Sequence, residues 1–116
     1  MHRFKELDIW KRSRVFCTTI YELTTNFPES EKFGLTNQLR RASVSIPSNI
    51  AEGSSRNSNK DFSRFLQITL GSAYEIETQL LIANDLGFIS KKELEVTISE
   101  LNQIIKMISK FKSRLK

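Results

Sequence analysis

Residues 35–57 read LTNQLRRASVSIPSNIAEGSSRN, and they are the most informative part of the chain because their helical apolar spacing continues through a proline. Apolar or small side chains recur every three or four positions, at Leu35, Leu39, Ala42, Ile46 and Ile50. That spacing keeps them on one stripe of an α-helix on both sides of Pro47. A proline inside a helix lacks an N–H and crowds the preceding turn, at a cost of about 3 kcal/mol unless packing compensates. The stretch therefore predicts one helix with a kink at Pro47.

Apolar periodicity, capping residues and helix-breaking residues predict the bounds of this helix and of three others. The first helix is expected from the N-cap Asp8 to about Asn26, where Phe27-Pro28 ends it. The second starts between Ser30 and Thr36, with Phe33-Gly34 in its first turns or in the loop, and Gly53 marks its stop near Ser54. The third runs from the N-cap Ser58 to Leu86, capped by Gly87, and a capping box of Ser90 and Glu93 opens a fourth that reaches Leu115.

No segment is typical of a strand, and 116 residues suffice for one domain with a single core. Because the predicted loops are short, we expect an all-α domain over residues 1–116, folded as an antiparallel up-down-up-down four-helix bundle. Gly71 lies in the middle of the third helix, where a glycine costs up to about 1 kcal/mol relative to alanine. Either a close helix crossing compensates for that cost, or the glycine is tolerated without a purpose.

Several motifs of the chain resemble those of one known family. The main ones are Gln38-Leu39-Arg40-Arg41-Ala42, then Ser45-Ile46-Pro47-Ser48-Asn49-Ile50-Ala51-Glu52-Gly53, and Arg56. Further matches are Phe27-Pro28-Glu29, Phe33-Gly34-Leu35-Thr36, Phe65-Leu66, Gly71-Ser72 with Glu75, and Gln79-Leu80. Together they cover most of the chain and resemble the four helix bundle protein family, also called the 23S ribosomal RNA intervening-sequence protein family.

The resemblance implies a four-helix fold and no established enzymatic activity. A related protein, the accessory variability determinant of diversity-generating retroelements, looks like a pentameric bundle that binds a reverse transcriptase and nucleic acid. By that analogy we expect a homo-oligomeric, pentameric ring, with RNA, DNA or a protein such as a reverse transcriptase as candidate partners. The motif residues that we expect to matter for structure or assembly are Arg40, Arg41, Ser45, Pro47, Asn49, Glu52, Gly53, Gly71 and Glu75.

Charge is distributed unevenly along the chain. Residues 1–16 hold five basic and two acidic side chains, residues 106–116 five basic and none acidic, and residues 17–105 eight basic and eleven acidic. In the expected bundle, the start of the first helix, the loop between the second and third, and the end of the fourth meet at one end. We call this the positive end. Its basic residues are Arg3, Lys5, Lys11, Arg12, Arg14, Arg56, Lys60, Arg64, Lys106, Lys110, Lys112, Arg114 and Lys116. The opposite end is expected to be acidic, so the molecule would be bipolar.

A positive end of this kind is expected of a protein that binds a phosphate backbone and releases its counterions. The candidate contacts are Lys11, Arg12, Arg14, Arg56, Lys60, Arg64, Lys106, Lys110, Lys112 and Arg114. The alternative is a solvated basic end that keeps the protein soluble and complements a helix dipole. No zinc-finger spacing, helix-turn-helix punctuation or aromatic sheet indicates sequence-specific base contacts.

The paired arginines of the second helix favour a structural role over direct nucleic-acid contact. With Leu39 and Ala42 inside, at least one of Arg40 and Arg41 points away from the core stripe, toward a neighbouring helix or subunit. The candidate carboxylate partners are Glu52, Glu75 and Glu77. Ser45 and Asn49, close to the kink, are expected to satisfy carbonyl groups freed by Pro47.

The residue inventory argues against an enzyme. The single histidine, His2, lies in a terminus expected to fray, so no Ser-His or Cys-His pair and no imidazole metal site is expected. A carboxylate-only metal nuclease remains conceivable through Glu52, Glu75 and Glu77, but the last two diverge by about 200° on a helix. No phosphate loop or dinucleotide fingerprint is present, and we expect neither a cofactor nor a metal.

The remaining expectations concern location and assembly. The single cysteine, Cys17, is expected to be an inert core thiol rather than a nucleophile. No apolar run approaches the roughly 20 residues of a membrane span and no leader is recognisable, so we expect a soluble cytoplasmic protein. Beyond the apolar residues expected to face the core from the four helices, the chain has Trp10, Val15, Phe33, Val44, Phe88, Ile89, Val96 and Met107. This surplus is typical of an interface, so a bundle that oligomerises and docks a protein partner without nucleic acid is the alternative function.

Overall fold

The computed structural model describes residues 2–115 and contains, over that range, four α-helices and no β-strand. The helices are α1 (Asp8–Thr24), α2 (Leu35–Ser54), α3 (Asn59–Asp85) and α4 (Lys91–Ser113). Two short 3-10 turns precede α1 and α2, at Phe4–Glu6 and Glu29–Glu31. Lys116, which was assigned to the positive end, lies outside the described residues.

The four helices surround one apolar core. α1 packs against α2 and α4, and α3 also packs against α2 and α4. The predicted stripe of α2 is buried in the core, and every helix contributes to the largest fully buried side chains, which are Phe16, Ile20, Leu39, Ile46, Ile50, Phe62, Leu66, Ile76, Leu80, Leu101, Ile104 and Ile108. The surplus apolar set is divided: Ile89 is buried with the core, whereas Phe33 is 86% exposed. Counting Ile89 in the apolar surplus available to an interface was therefore wrong.

Three predicted helix caps are present in the structure. Ser58 accepts a hydrogen bond from the Asp61 N–H, and Ser90 and Glu93 form the expected capping box. Gly87 has a φ of 80°, the left-handed conformation that favours glycine after a helix. The prediction for Asp8 was wrong: it is the first residue of α1, and the N-cap is Leu7, which has no capping side chain.

The start of α2 has a cap that the sequence prediction did not identify. Gly34 occupies the N-cap position and cannot cap with a side chain. Instead, a carboxylate oxygen of Glu31 accepts the Leu35 N–H at 3.0 Å. Because α2 begins at Leu35, Phe33 and Gly34 lie in the loop. The negative charge of Glu31 lies at the N-terminus of α2, where it interacts favourably with the helix dipole.

α2 continues without interruption through Pro47, which is buried. Because proline has no N–H, the carbonyl of Ser43, four residues earlier, lacks its usual helical donor. The thiol of Cys17 on α1 donates to that carbonyl, with a sulfur–oxygen distance of 2.9 Å. Cys17 thus replaces the hydrogen bond that Pro47 removes, and the buried polar group has a partner.

Candidate nucleic-acid interface

The segment that precedes α1 contacts α2, α3 and α4 at one end of the molecule. The His2 N–H donates to the carbonyl of Ser54, at the end of α2, at 3.1 Å. The His2 ring lies 5.1 Å from the Phe62 ring, near the start of α3, and 5.8 Å from the Phe111 ring, near the end of α4. The expectation that His2 belongs to a frayed terminus was therefore wrong.

These contacts bring part of the predicted positive end together. A concavity of about 360 Å³ lies between the start of α1 and the last turns of α4. Its polar lining consists of Lys110 and Arg114 on one side and of Glu6 and Asp8 on the other. The two cations of α4 therefore face two carboxylates, which lower the positive potential there.

A second pair of candidate cations lies farther along α4. The Arg12 guanidinium donates to the Gln103 side-chain oxygen at 2.9 Å. Lys106 and Gln103 line the same shallow surface groove. Arg12 and Lys106 are both exposed, so each presents its charge to solvent beside the contact of α1 with α4.

A third cluster surrounds the side chain of Trp10. Lys5, Trp10, Lys11 and Arg14 line one open concavity, which we call the tryptophan groove. The Arg14 guanidinium lies over the indole, 5.3 Å from the ring centroid, as a cation–π pair. The Phe4 ring meets the same indole edge to face at 5.2 Å. Neither the aromatic pair nor the cation–π contact was predicted.

Two candidate cations in the α2–α3 loop and at the start of α3 have a carboxylate neighbour. Arg56 contacts the Glu52 carboxylate at 3.3 Å, and its guanidinium lies 4.8 Å from the centroid of the Phe65 ring. Arg64 contacts the Asp61 carboxylate at 4.0 Å. Of the two remaining candidates, Lys60 is exposed and Lys112 is half-buried. Because Arg56 and Arg64 already have carboxylate neighbours, they are weaker candidates for phosphate contact than the lysines of α4.

Arg40 points to a neighbouring helix, as predicted for at least one arginine of the pair, but its partners are not the predicted ones. Arg40 donates to the Thr24 hydroxyl at 2.8 Å and lies over the Tyr21 ring, 4.6 Å from its centroid. It therefore binds α1 through a hydroxyl and an aromatic face, and assigning it a partner among Glu52, Glu75 and Glu77 was wrong within this chain. The carboxylate of Glu52 is bound instead by Arg56.

Arg41 is exposed and lies in a polar groove between α2 and α3. Glu75 lines the same groove, but Arg41 is in none of the ion pairs within residues 2–115, which join Arg3 to Glu6, Arg56 to Glu52 and Arg64 to Asp61. The buried Gln79 amide nitrogen donates to Glu75 at 3.0 Å. Its amide oxygen has no hydrogen-bond partner within the described range.

Ser45 and Asn49 bond to the backbone near Pro47, but to other carbonyls than the one that Pro47 leaves free. The Ser45 hydroxyl donates to Ala42 at 2.7 Å and bonds the Ser72 hydroxyl of α3 at 2.8 Å. The Asn49 amide donates to the Ser45 carbonyl at 2.8 Å. The Ser43 carbonyl receives Cys17, so the prediction named the correct type of interaction and the wrong donor.

The two glycines of the motif differ in their surroundings. A Cβ on Gly53 would lie 2.7 Å from Phe65 Cβ and 2.9 Å from Phe62 Cδ1, so the close approach of α2 to α3 occurs there. A Cβ on Gly71 would meet nothing within 4 Å. α2 ends at Ser54, as predicted, but Gly53 is in addition a packing residue. The close crossing expected at Gly71 is wrong within this chain, which leaves the alternative of a tolerated glycine.

Comparison with known proteins agrees with this architecture. Residues 5–110 match the family described as 23S rRNA-intervening sequence protein. The chain belongs to this family. A crystal structure of a protein of unknown function from the S23 ribosomal protein family of Bacteroides thetaiotaomicron is similar, with a TM-score of 0.80 and 26% identity over 90% of this chain and 97% of that chain. No curated protein matches the sequence.

Membership of the 23S rRNA-intervening sequence protein family explains the motif but assigns no chemistry to it. Within residues 2–115, no group of three or more His, Cys, Asp and Glu side chains is arranged to hold a metal ion. No helix in the described range has both the length and the apolar character needed to cross a bilayer. Polar features of the described residues include the clustered cations, the tryptophan groove and the groove around Arg41.

Proposed function

We propose that this member of the family is a non-enzymatic accessory protein that binds the phosphate backbone of RNA or DNA with its positive end. The observation that carries the proposal is the attachment of the N-terminal segment to the ends of α2 and α4 through His2. In addition, Arg12 of α1 donates to Gln103 of α4, which lines a groove with Lys106. These contacts between segments distant in the sequence support a common phosphate-binding surface.

The charges that remain available decide which residues carry the binding. Lys106, Lys110 and Arg114 are exposed and take part in no ion pair within residues 2–115. Each phosphate that they neutralise releases counterions, so the logarithm of the affinity falls with the logarithm of the salt concentration. Glu6 and Asp8 oppose this attraction near Lys110 and Arg114, so Lys106 is expected to contribute at least as much as either.

The test is binding of structured RNA and duplex DNA over a salt series, on protein whose mass has been fixed by light scattering. A variant with Lys106, Lys110 and Arg114 changed to Gln is compared with one carrying Lys32→Gln, Lys91→Gln and Lys92→Gln. Both variants lose the same charge, but the control loses it near the start of α2 and at the start of α4. The first variant is expected to lose up to about three of the counterions released and the control none. Equal losses, or no binding at low salt, would contradict the proposal.

We also infer an up-down-up-down order of the helices, a bend at Pro47 and assembly into a homo-oligomeric ring. The short connections between successive helices support the first inference, since such connections favour antiparallel neighbours. The ring would repeat the positive end around its axis. In that assembly, Arg41 and Glu75 are candidates for contact with a second copy, because both are exposed and face one groove.

The second candidate function is a scaffold that assembles and docks a protein, such as a reverse transcriptase, without nucleic acid. It is favoured by the large apolar side chains that remain exposed in a single chain, among them Phe33 at 86%, Val15 at 59% and Val96 at 59%. The salt series separates the two functions, since a well-folded oligomer that binds no nucleic acid at low salt would favour the scaffold.

A further inference from the structure

The tryptophan groove has a feature that a simple cationic surface does not need. Trp10 is the only tryptophan of the chain, and it is half-buried at the start of α1. Its side chain is packed in part against the apolar core, so the position of the ring is fixed by the fold.

The surroundings of this indole are cationic. Lys5, Lys11 and Arg14 line the groove with Trp10, and all three are exposed. The nearby carboxylates of Glu6 and Asp8 line the other concavity, the one shared with Lys110 and Arg114. The tryptophan groove thus combines an aromatic ring with three cations and has no acidic side chain in its described lining.

The Arg14 guanidinium and the Phe4 ring hold the indole in place. Arg14 lies 5.3 Å from the ring centroid, and Phe4 meets the ring at 5.2 Å. A cation–π pair at an exposed site is weak, so a stacking base would displace the guanidinium from the ring at a small cost. Phe4 is half-buried and keeps its edge-to-face contact, so the indole needs little reorganisation to receive a flat ligand.

We propose that the tryptophan groove binds single-stranded nucleic acid, with one unpaired base stacked on Trp10 and the adjoining phosphates bound by Lys5, Lys11 and Arg14. This inference rests on the proposed function and names its substrate class. Base–aromatic stacking tolerates any sequence because every base has a π-face, whereas in a duplex those faces are covered by neighbouring bases. The proposal requires no base-specific hydrogen bond.

Because Trp10 is the only tryptophan, its fluorescence reports on the groove without labelling. The full chain is titrated with short oligo(dT) and oligo(U), an abasic oligonucleotide of the same length, a duplex of the same length, and polyglutamate. Both single-stranded oligonucleotides are expected to quench Trp10, and whichever binds more tightly identifies DNA or RNA as the preferred source. The abasic strand is expected to bind about tenfold more weakly without comparable quenching.

Variants separate stacking from charge. Trp10→Ala is expected to weaken oligo(dT) binding by about tenfold in an anisotropy assay with labelled oligonucleotide, and Trp10→Phe by less, because a ring is retained. Tyr74→Ala is the control, since Tyr74 is an aromatic residue of α3 that is 55% exposed. Circular dichroism establishes that each variant keeps its helices, and Trp10→Phe serves if Trp10→Ala does not fold.

The outcomes distinguish the two proposals. Equal affinity of the abasic strand, the duplex and oligo(dT), or unchanged binding by Trp10→Ala, would overturn base stacking and leave backbone binding intact. Quenching by polyglutamate equal to that by oligo(dT) would overturn it as well, because the groove would then select charge alone. If no nucleic acid binds at low salt, both the proposed function and this inference are wrong.

Discussion

The inner side of α2 and the outer face of α3 each contain a glycine, and the two glycines have opposite surroundings. Gly53 is buried, and a methyl group there would overlap Phe62 and Phe65 of α3. Gly71 is exposed, and a methyl group there would lie in open space. The cost in helix propensity is about the same for both, up to about 1 kcal/mol. Only Gly53 compensates for that cost within the chain, by letting two helices approach.

The comparison extends to the neighbours of each glycine. On the inner side, the polar groups near Pro47 are satisfied, with Cys17 bonded to Ser43. The outer face of α3 has Ile68 at 51% exposure, one turn from Gly71. The contacts of the inner side are therefore made within a single chain, whereas Gly71 and Ile68 on the outer face of α3 are exposed.

The strongest test of this contrast is the substitution of each glycine by alanine. Gly53→Ala is expected to lower the free energy of unfolding by about 1–3 kcal/mol, because the contacting atoms belong to Phe65 Cβ and the Phe62 ring. Chemical denaturation measures the change, with unaltered helical content as a check on folding. An unchanged free energy of unfolding would mean that α2 and α3 move apart at little cost. The close approach at Gly53 would then not be tightly packed.

A second test concerns the hydrogen bond that closes the inner side at Pro47. Cys17→Ala is expected to cost about 1 kcal/mol, because the buried Ser43 carbonyl loses its donor. In a Pro47→Ala background the helix regains an N–H for that carbonyl, so the same substitution should cost less. A double-mutant cycle measures the difference. If the cost of Cys17→Ala were the same in both backgrounds, Cys17 would act through packing and not through its hydrogen bond.

Most of the fold was predictable because helical periods and capping residues are local signals. The stripes through Leu39, Ile46 and Ile50 are buried as expected, and Ser58, Ser90 and Gly87 mark the ends of helices. The failures concern contacts between segments distant in sequence. Periodicity places Gly53 and Gly71 on helices, but it contains no distance to the neighbouring helix, so the close approach was expected at Gly71 and not at Gly53.

The candidate site was predictable only as a composition. The excess of positive charge at both termini is visible in the sequence, whereas the joining of Lys5, Trp10 and Arg14 in one groove depends on how the segment before α1 folds back. Trp10 and Arg14 are four residues apart, a spacing that allows side chains to meet on a helix, and this signal was available. The choice of Thr24 and Tyr21 as partners of Arg40 had no such signal.

A third test addresses the outer face directly. Gly71→Ala is expected to raise the free energy of unfolding by about 0.5–1 kcal/mol, because the new methyl group meets nothing and alanine favours the helix. Denaturation is measured at several protein concentrations, with light scattering to follow the mass. A loss of stability together with a smaller mass would contradict an open surface and would place a second copy close to α3.

The smallest expected effect is a dependence of stability on pH that arises from the inner side alone. Burial raises the pKa of the Cys17 thiol above its ordinary value, so the folded protein holds this proton more tightly than the unfolded chain does. The stabilisation is therefore complete below the pKa of an unfolded cysteine, about 8.5, and is lost as the pH rises through the higher folded pKa. Cys17→Ser keeps a donor for Ser43 but does not titrate in this range. As the pH is raised from about 7 toward 10, the free energy of unfolding of the original chain should therefore fall relative to that of Cys17→Ser. Parallel pH profiles would show that the thiol is solvated, and the inner side would then resemble the outer face of α3 more than the distances indicate.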